Sequence, residues 1–170
     1  TKYLGNQYDL HTCGIDHIPV HHTNEIAQAE SASGQHPYVA VWLHANFLRI
    51  DGEKMAKSKG NFYKLDDVIA RGFTPGALKY LFLTTHYRNE LNFTWENLAG
   101  VQKLYDRLTH DLLTFKNDLG RTDYYAAVDD RLAALRQKFY APVINDLNIG
   151  QALPVLTQVI KSALPSTDKY

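Results

Sequence analysis

The sequence predicts an α/β fold that gives way to an α-helical bundle, and three observations carry that expectation. Short β-prone apolar runs at 8–12, 38–43 and 47–50 alternate with stretches of helical spacing in residues 1–93. Beyond Trp95 the apolar spacing is helical throughout. The segments that follow the early strands are rich in histidine, aspartate and lysine, and strand ends are where open α/β sheets carry their functional groups.

Taken in order, Tyr8-Asp9-Leu10-His11-Thr12 reads as a strand that ends at Cys13-Gly14 and delivers a loop. Four histidines follow within twelve positions, His11, His17, His21 and His22, with Cys13 among them and Glu25 just beyond. Helix-favouring residues from Glu25 to Glu30 predict a helix that opens near His21. His21 and Glu25 then stand one turn apart on one face, a spacing at which an imidazole and a carboxylate can share a zinc ion. Ser31 to Pro37 reads as a loop, because Gly34 and Pro37 both interrupt a helix. In the apolar run that follows, Trp42 is read as core packing first and substrate contact second.

Gly52 to Asn61 puts three lysines, a serine and two glycines into ten residues. It reads as a flexible loop whose ammonium groups close over a polyphosphate, Lys supplying a mobile point charge and Gly a bendable backbone. Leu65, Val68 and Ile69 predict a short helix over 64–72 with a glycine stop. Thr74-Pro75 supplies an N-cap and a proline at the first helical position, opening a helix that carries Leu78, Leu81 and Phe82 to about Thr85. Asn92-Phe93-Thr94 is expected to cap the next. Leu98, Val101, Leu104, Tyr105, Leu108 and Leu112 form one helical stripe, broken at 117–122. A second stripe runs Leu132, Leu135, Phe139, Val143, and a third Ala152, Val155, Leu156, Val159, Ile160. Residues 145–150 are turn-rich, and Pro154 predicts that the third helix starts late or bends. The domain boundary is placed near residue 93.

Composition limits the function classes. Eighteen basic and eighteen acidic residues cancel, so any RNA contact must come from local patches. A hydrophobic content of 45% over 170 residues suffices for a core. The one cysteine excludes an internal disulfide, and no apolar run approaches the ~20 residues of a membrane span. The beginning, Thr1-Lys2-Tyr3-Leu4, has no secretory pattern. A reducing, cytoplasmic setting is expected, with no membrane and a monomeric state.

Lys54-Met55-Ala56-Lys57-Ser58 resembles the KMSKS loop of class I aminoacyl-tRNA synthetases, with Ala56 where the pattern has serine. Around it stand His11-Thr-Cys-Gly-Ile-Asp16, Pro19-Val-His-His-Thr-Asn-Glu25-Ile-Ala-Gln28, Trp42-Leu-His44, Thr85-His-Tyr-Arg88 and Leu91-Asn-Phe-Thr-Trp-Glu-Asn97. That series, in that order, resembles the second half of the cysteinyl-tRNA synthetases, over about residues 3–110 and more weakly beyond.

The resemblance implies the second half of a Rossmann-type nucleotide-binding domain in 1–93, followed in 94–170 by part of the helical bundle against which the tRNA stem lies. It implies a two-step reaction: ATP, with Mg²⁺, and L-cysteine give cysteinyl-adenylate and pyrophosphate, and the cysteinyl group then moves to tRNA(Cys). ATP-facing positions fall on His11, Asp16, Lys54, Met55 and Lys57, with Asp16 accepting from ribose hydroxyls. Lys54 and Lys57 neutralise the leaving β- and γ-phosphates, Lys57 above all, and Ser58 adds a hydrogen bond. Ala56 lacks a hydroxyl worth about 1 kcal/mol to the closed loop. His21 and Glu25 match two of the family's four Zn²⁺ ligands. The other two are cysteines from earlier in that family's chain, so half a zinc site is expected here, holding zinc weakly or not at all alone. Such an ion prefers a thiolate to a serine hydroxyl, and a site built on one polar group can discriminate by ~10⁴ or more. Cys13 departs from the pattern, standing where the family has glycine.

No H-x-G-H string occurs, so the chain is read as an excerpt without adenylate-forming activity of its own. The rival readings are the related ligase that joins cysteine to an aminated sugar-inositol, and a non-catalytic binding module.

Overall fold

A computed structural model of the chain describes residues 2–119 and 130–162, which fall into two compact units. The first comprises residues up to Leu48 together with Tyr87–Leu91. Strand β1 (Tyr8–Gly14) leads through a 3₁₀ turn (Ile15–His17) and one π-helical turn (Ile18–His22) into helix α1 (Thr23–Ser33), which crosses back to strand β2 (Val39–Ala45). β1 and β2 pair in parallel, with Leu10 opposite Val41, His11 opposite Trp42 and Cys13 opposite His44. A parallel pair needs a crossover of this kind.

α1 runs through Ser31-Ala32-Ser33, which the sequence reads as loop, because nothing there forbids a helix before Gly34. Gly34 ends it in the left-handed conformation (φ 68°), its N–H bonded to Glu30 O at 2.8 Å. Only a residue without a Cβ takes that conformation at little cost. The Glu30 carboxylate then ties helix to strand, accepting from Tyr38 N–H at 2.9 Å and contacting His36 Nδ1 at 2.6 Å. These bonds, the backbone one first, hold Glu30 below the usual carboxylate range.

The second unit comprises 49–86 and the described residues from Asn92 on. Strands β3 (Leu48–Ile50), β4 (Glu53–Lys54) and β5 (Leu91–Phe93) form a small sheet in the order β4-β3-β5. β3 and β4 are a hairpin whose two turn residues, Asp51 (φ 51°) and Gly52 (φ 79°), both have positive φ. An Asp-Gly pair is suited to that turn. β5 covers Asn92-Phe93, expected as part of a cap; Thr94 alone caps the next helix, accepting Asn97 N–H at 3.0 Å.

Helices α2 (Leu65–Ala70), α3 (Pro75–Leu83), α4 (Trp95–Leu119), α5 (Asp130–Ile144) and α6 (Ile149–Lys161) follow. α3 packs on α4 and α5 on α6. The break expected at 117–122 is helical to Leu119, and the rest lies outside the described residues. α6 begins at Ile149 and passes through Pro154, an earlier start than the proline suggests. Burial of Ala152, Leu153 and Val155 around it offsets the lost backbone bond.

Thr74 behaves as its sequence position predicts: its hydroxyl accepts Ala77 N–H at 3.2 Å, and its own N–H donates to Gln102 Oε1 at 2.8 Å. Thr74→Ala should cost about 1 kcal/mol in a urea melt and Thr74→Ser much less. Equal losses in both would remove the hydroxyl as the cause.

Candidate functional site: a histidine cluster and a lysine turn

In the first unit the side chains of β1, the two tight turns, α1 and β2 converge on Glu25. Its Oε2 accepts from His22 Nδ1 at 2.8 Å and lies 3.3 Å from His11 Nε2, while Oε1 lies 3.6 Å from His21 Nε2. Burial disfavours the charged carboxylate, but the His22 hydrogen bond and the charges of His11, His21 and His22 outweigh it and hold Glu25 below its ordinary pKa. His21 is largely exposed and His22 is buried, at 3% exposure.

Trp42 floors the cluster. The His11 ring stacks on it at 4.8 Å, and the His22 and His44 rings lie 4.5 and 6.1 Å away. Burial, then the neighbouring imidazoles of His22, His11 and His17, keep His44 below its ordinary pKa. Asp16, in the 3₁₀ turn, folds back over Gly14: a Cβ built there would lie 2.5 Å from Asp16 Oδ1. A side chain at position 14 would make the Asp16 carboxylate shift.

The structure brings together His11, His21 and Glu25 of the residues singled out in the sequence. It adds His22, which also stands one turn from Glu25, at i, i+3. That spacing was legible beside the i, i+4 of His21, but which of two adjacent histidines turns inward depends on the π-helical turn before them.

The lysine turn belongs to the second unit. Lys54 ends β4, Met55 and Ala56 are half-buried, and 57–59 form one 3₁₀ turn closed by Gly60 (φ 68°). Asn61 braces it, its side chain accepting Ala56 N–H at 2.8 Å and donating to Lys54 O at 3.2 Å. The segment thus contains a hairpin strand and a 3₁₀ turn, and Asp51-Gly52 was the overlooked signal for the hairpin. Lys59 Nζ is paired with Glu53 Oε2 at 2.7 Å, and that bond lowers the Glu53 pKa. The Lys57 ammonium lies over the Phe62 ring at 5.5 Å, and Ser58 is exposed.

Residues 1–103 match the family model of the class I (C) tRNA synthetase catalytic domain. The chain belongs to that family. Two relatives of this class I synthetase chain are the "Cysteine--tRNA ligase" of Brachyspira hyodysenteriae, 42% identical over 98% of the chain and 35% of the relative, and the "Cysteine--tRNA ligase 1" of Burkholderia lata, 43% identical over 96% and 33%. The chain thus spans about a third of the length of the curated relatives it matches. Among solved structures, LeuRS of Agrobacterium radiobacter, in a ternary complex with tRNA and LeuAMS, shares the fold, with a TM-score of 0.70 at 19% identity over 95% of the chain and 24% of its own. Among the described residues of this synthetase chain, no helix is long and apolar enough to cross a membrane.

Proposed function

We propose that the chain is the second half of the Rossmann-type catalytic domain, residues 1–93, and part of the tRNA-contacting helical bundle, 94–170, of a cysteine–tRNA ligase. The observation that carries the reading is the pair His21 Nε2 and Glu25 Oε1, 3.6 Å apart one helical turn from each other. Two donors on one tetrahedral zinc ion, each about 2.1 Å from it, stand roughly 3.4 Å apart, so the pair fits two of four ligands. Glu25 is already oriented for this, its other oxygen being engaged by His22 and His11. An ion held there supplies a thiophilic centre that favours the substrate's sulfur over a serine oxygen.

The chain's own groups have separable tasks in activating cysteine with ATP and Mg²⁺. Asp16 offers a carboxylate to ribose hydroxyls, and His11, stacked on Trp42, presents an imidazole edge beside it in sequence. Lys54 and Lys57 neutralise charge on the departing pyrophosphate, half-buried Met55 stands between them in sequence on the ATP-facing stretch, and Ser58 donates a hydrogen bond. Pairing of Lys59 with Glu53 leaves it less suited than Lys57 to that task.

Grafting the chain over the matching segment of the Brachyspira hyodysenteriae relative should preserve cysteine-dependent ATP–pyrophosphate exchange and charging of tRNA(Cys), with no exchange on serine. The chain alone should give none. A folded chimaera that activates serine as readily as cysteine, or that leaves tRNA(Cys) uncharged, would falsify the reading.

A further inference from the structure

We infer that Cys13, His17 and His22 form a metal site of their own, for a thiophilic divalent ion of the Zn²⁺ class, distinct from the His21–Glu25 pair. Cys13 Sγ, one ring nitrogen of His17 and one of His22 lie within 4.8 Å of one another. The local fold assembles them. Cys13 is the penultimate residue of β1, the 3₁₀ turn carries His17 back until its Nδ1 is 2.5 Å from Cys13 Sγ, and the π-helical turn ends with His22 facing inward. The His17 and His22 rings meet edge to face, 5.7 Å between centroids.

His22 supplies an independent sign that something is to be bound. Its Nδ1–H is spent on Glu25 Oε2, while Nε2 is fully buried and has no hydrogen-bond partner. A buried nitrogen lone pair without a partner is unfavourable, and an ion would take it up. The Glu25 contact fixes the tautomer that leaves Nε2 unprotonated, as carboxylates do behind metal-binding histidines. Two imidazoles and a thiolate suit Zn²⁺ over Mg²⁺ or Ca²⁺, which prefer oxygen ligands. Three protein ligands leave a fourth tetrahedral position for water or an external donor. On binding, the Cys13 S–H proton leaves to solvent and the S–metal bond forms, with no change of oxidation state.

This site is open to test whether or not the chain serves a cysteine ligase, because the readout is the metal itself. Co²⁺ added to the reduced 170-residue chain should give a thiolate-to-metal charge-transfer absorption saturating at one equivalent, displaced by Zn²⁺. His17→Asn, which keeps much of the ring's bulk, and His17→Ala should each lower Co²⁺ affinity by about tenfold or more. His21→Ala should leave the band and the affinity unchanged, and far-ultraviolet circular dichroism checks that every variant is folded. Absence of the band in the parent chain overturns the site. So does a band lost in His21→Ala, which would put Cys13 on the other donor pair, or one untouched by both His17 variants.

Discussion

Lys57→Ala in the chimaeric ligase is expected to slow cysteine-dependent ATP–pyrophosphate exchange by about 10²–10³-fold, the loss that follows removal of one preorganised group facing developing charge. The fall should be in kcat, with KM for cysteine little changed, because on the proposed reading the ammonium acts when the bond to pyrophosphate breaks and not when the amino acid binds. Lys59→Ala should stay close to the parent rate: its ammonium is committed to Glu53, 2.7 Å away. Lys57 lies over Phe62, a contact weak enough to be exchanged for a phosphate. Stopped-flow adenylate formation separates the outcomes. Parent-like kcat in Lys57→Ala, or a loss confined to KM, would remove Lys57 from the chemical step.

Leu98→Ala is expected to destabilise the second unit by about 2–5 kcal/mol, lowering the melting temperature by about 5–15 °C. Leu98 has 0% exposure and is the largest fully buried side chain among the described residues. It cannot withdraw from the cavity, since its N–H is bonded to Thr94 O at 3.1 Å in the first turn of α4. Leu113→Ala, at a position 53% exposed on the same helix, should change stability by less than about 0.5 kcal/mol. Similar melting shifts for both would mean that burial does not set the cost.

That contrast also marks how far the sequence could be read. The helical stripe correctly gave α4 and its phase, and Leu98 and Leu108 are buried as the stripe requires. Leu104 and Leu112 share the stripe and are 38% and 42% exposed. Periodicity selects a face of a helix; which stretch of that face meets a neighbour is decided by where α3 lies. Local chemistry was more legible than packing, as the Thr74 cap illustrates. Pro154 misled about where α6 begins, because tertiary burial around the helix outweighs a local preference.

The candidate site divides in the same way. His11, His21 and Glu25 were identifiable from spacing and resemblance, and the structure gathers them. His22 was not singled out, because a π-helical turn changes which residue faces inward and no local rule announced one. The Cys13–His17 contact depends on the 3₁₀ turn that ends at His17, and the sequence hinted at it only by placing Cys13 among the histidines and in place of an expected glycine.

The brace that Asn61 places across the lysine turn, from Ala56 N–H to Lys54 O, bears on what ligand binding there would cost. Its interior is already ordered, so gripping a polyphosphate need not freeze a floppy strand of chain. On the proposed reading, the selectivity of the turn for where charge builds up then rests on this preformed shape and not on a search among disordered ones.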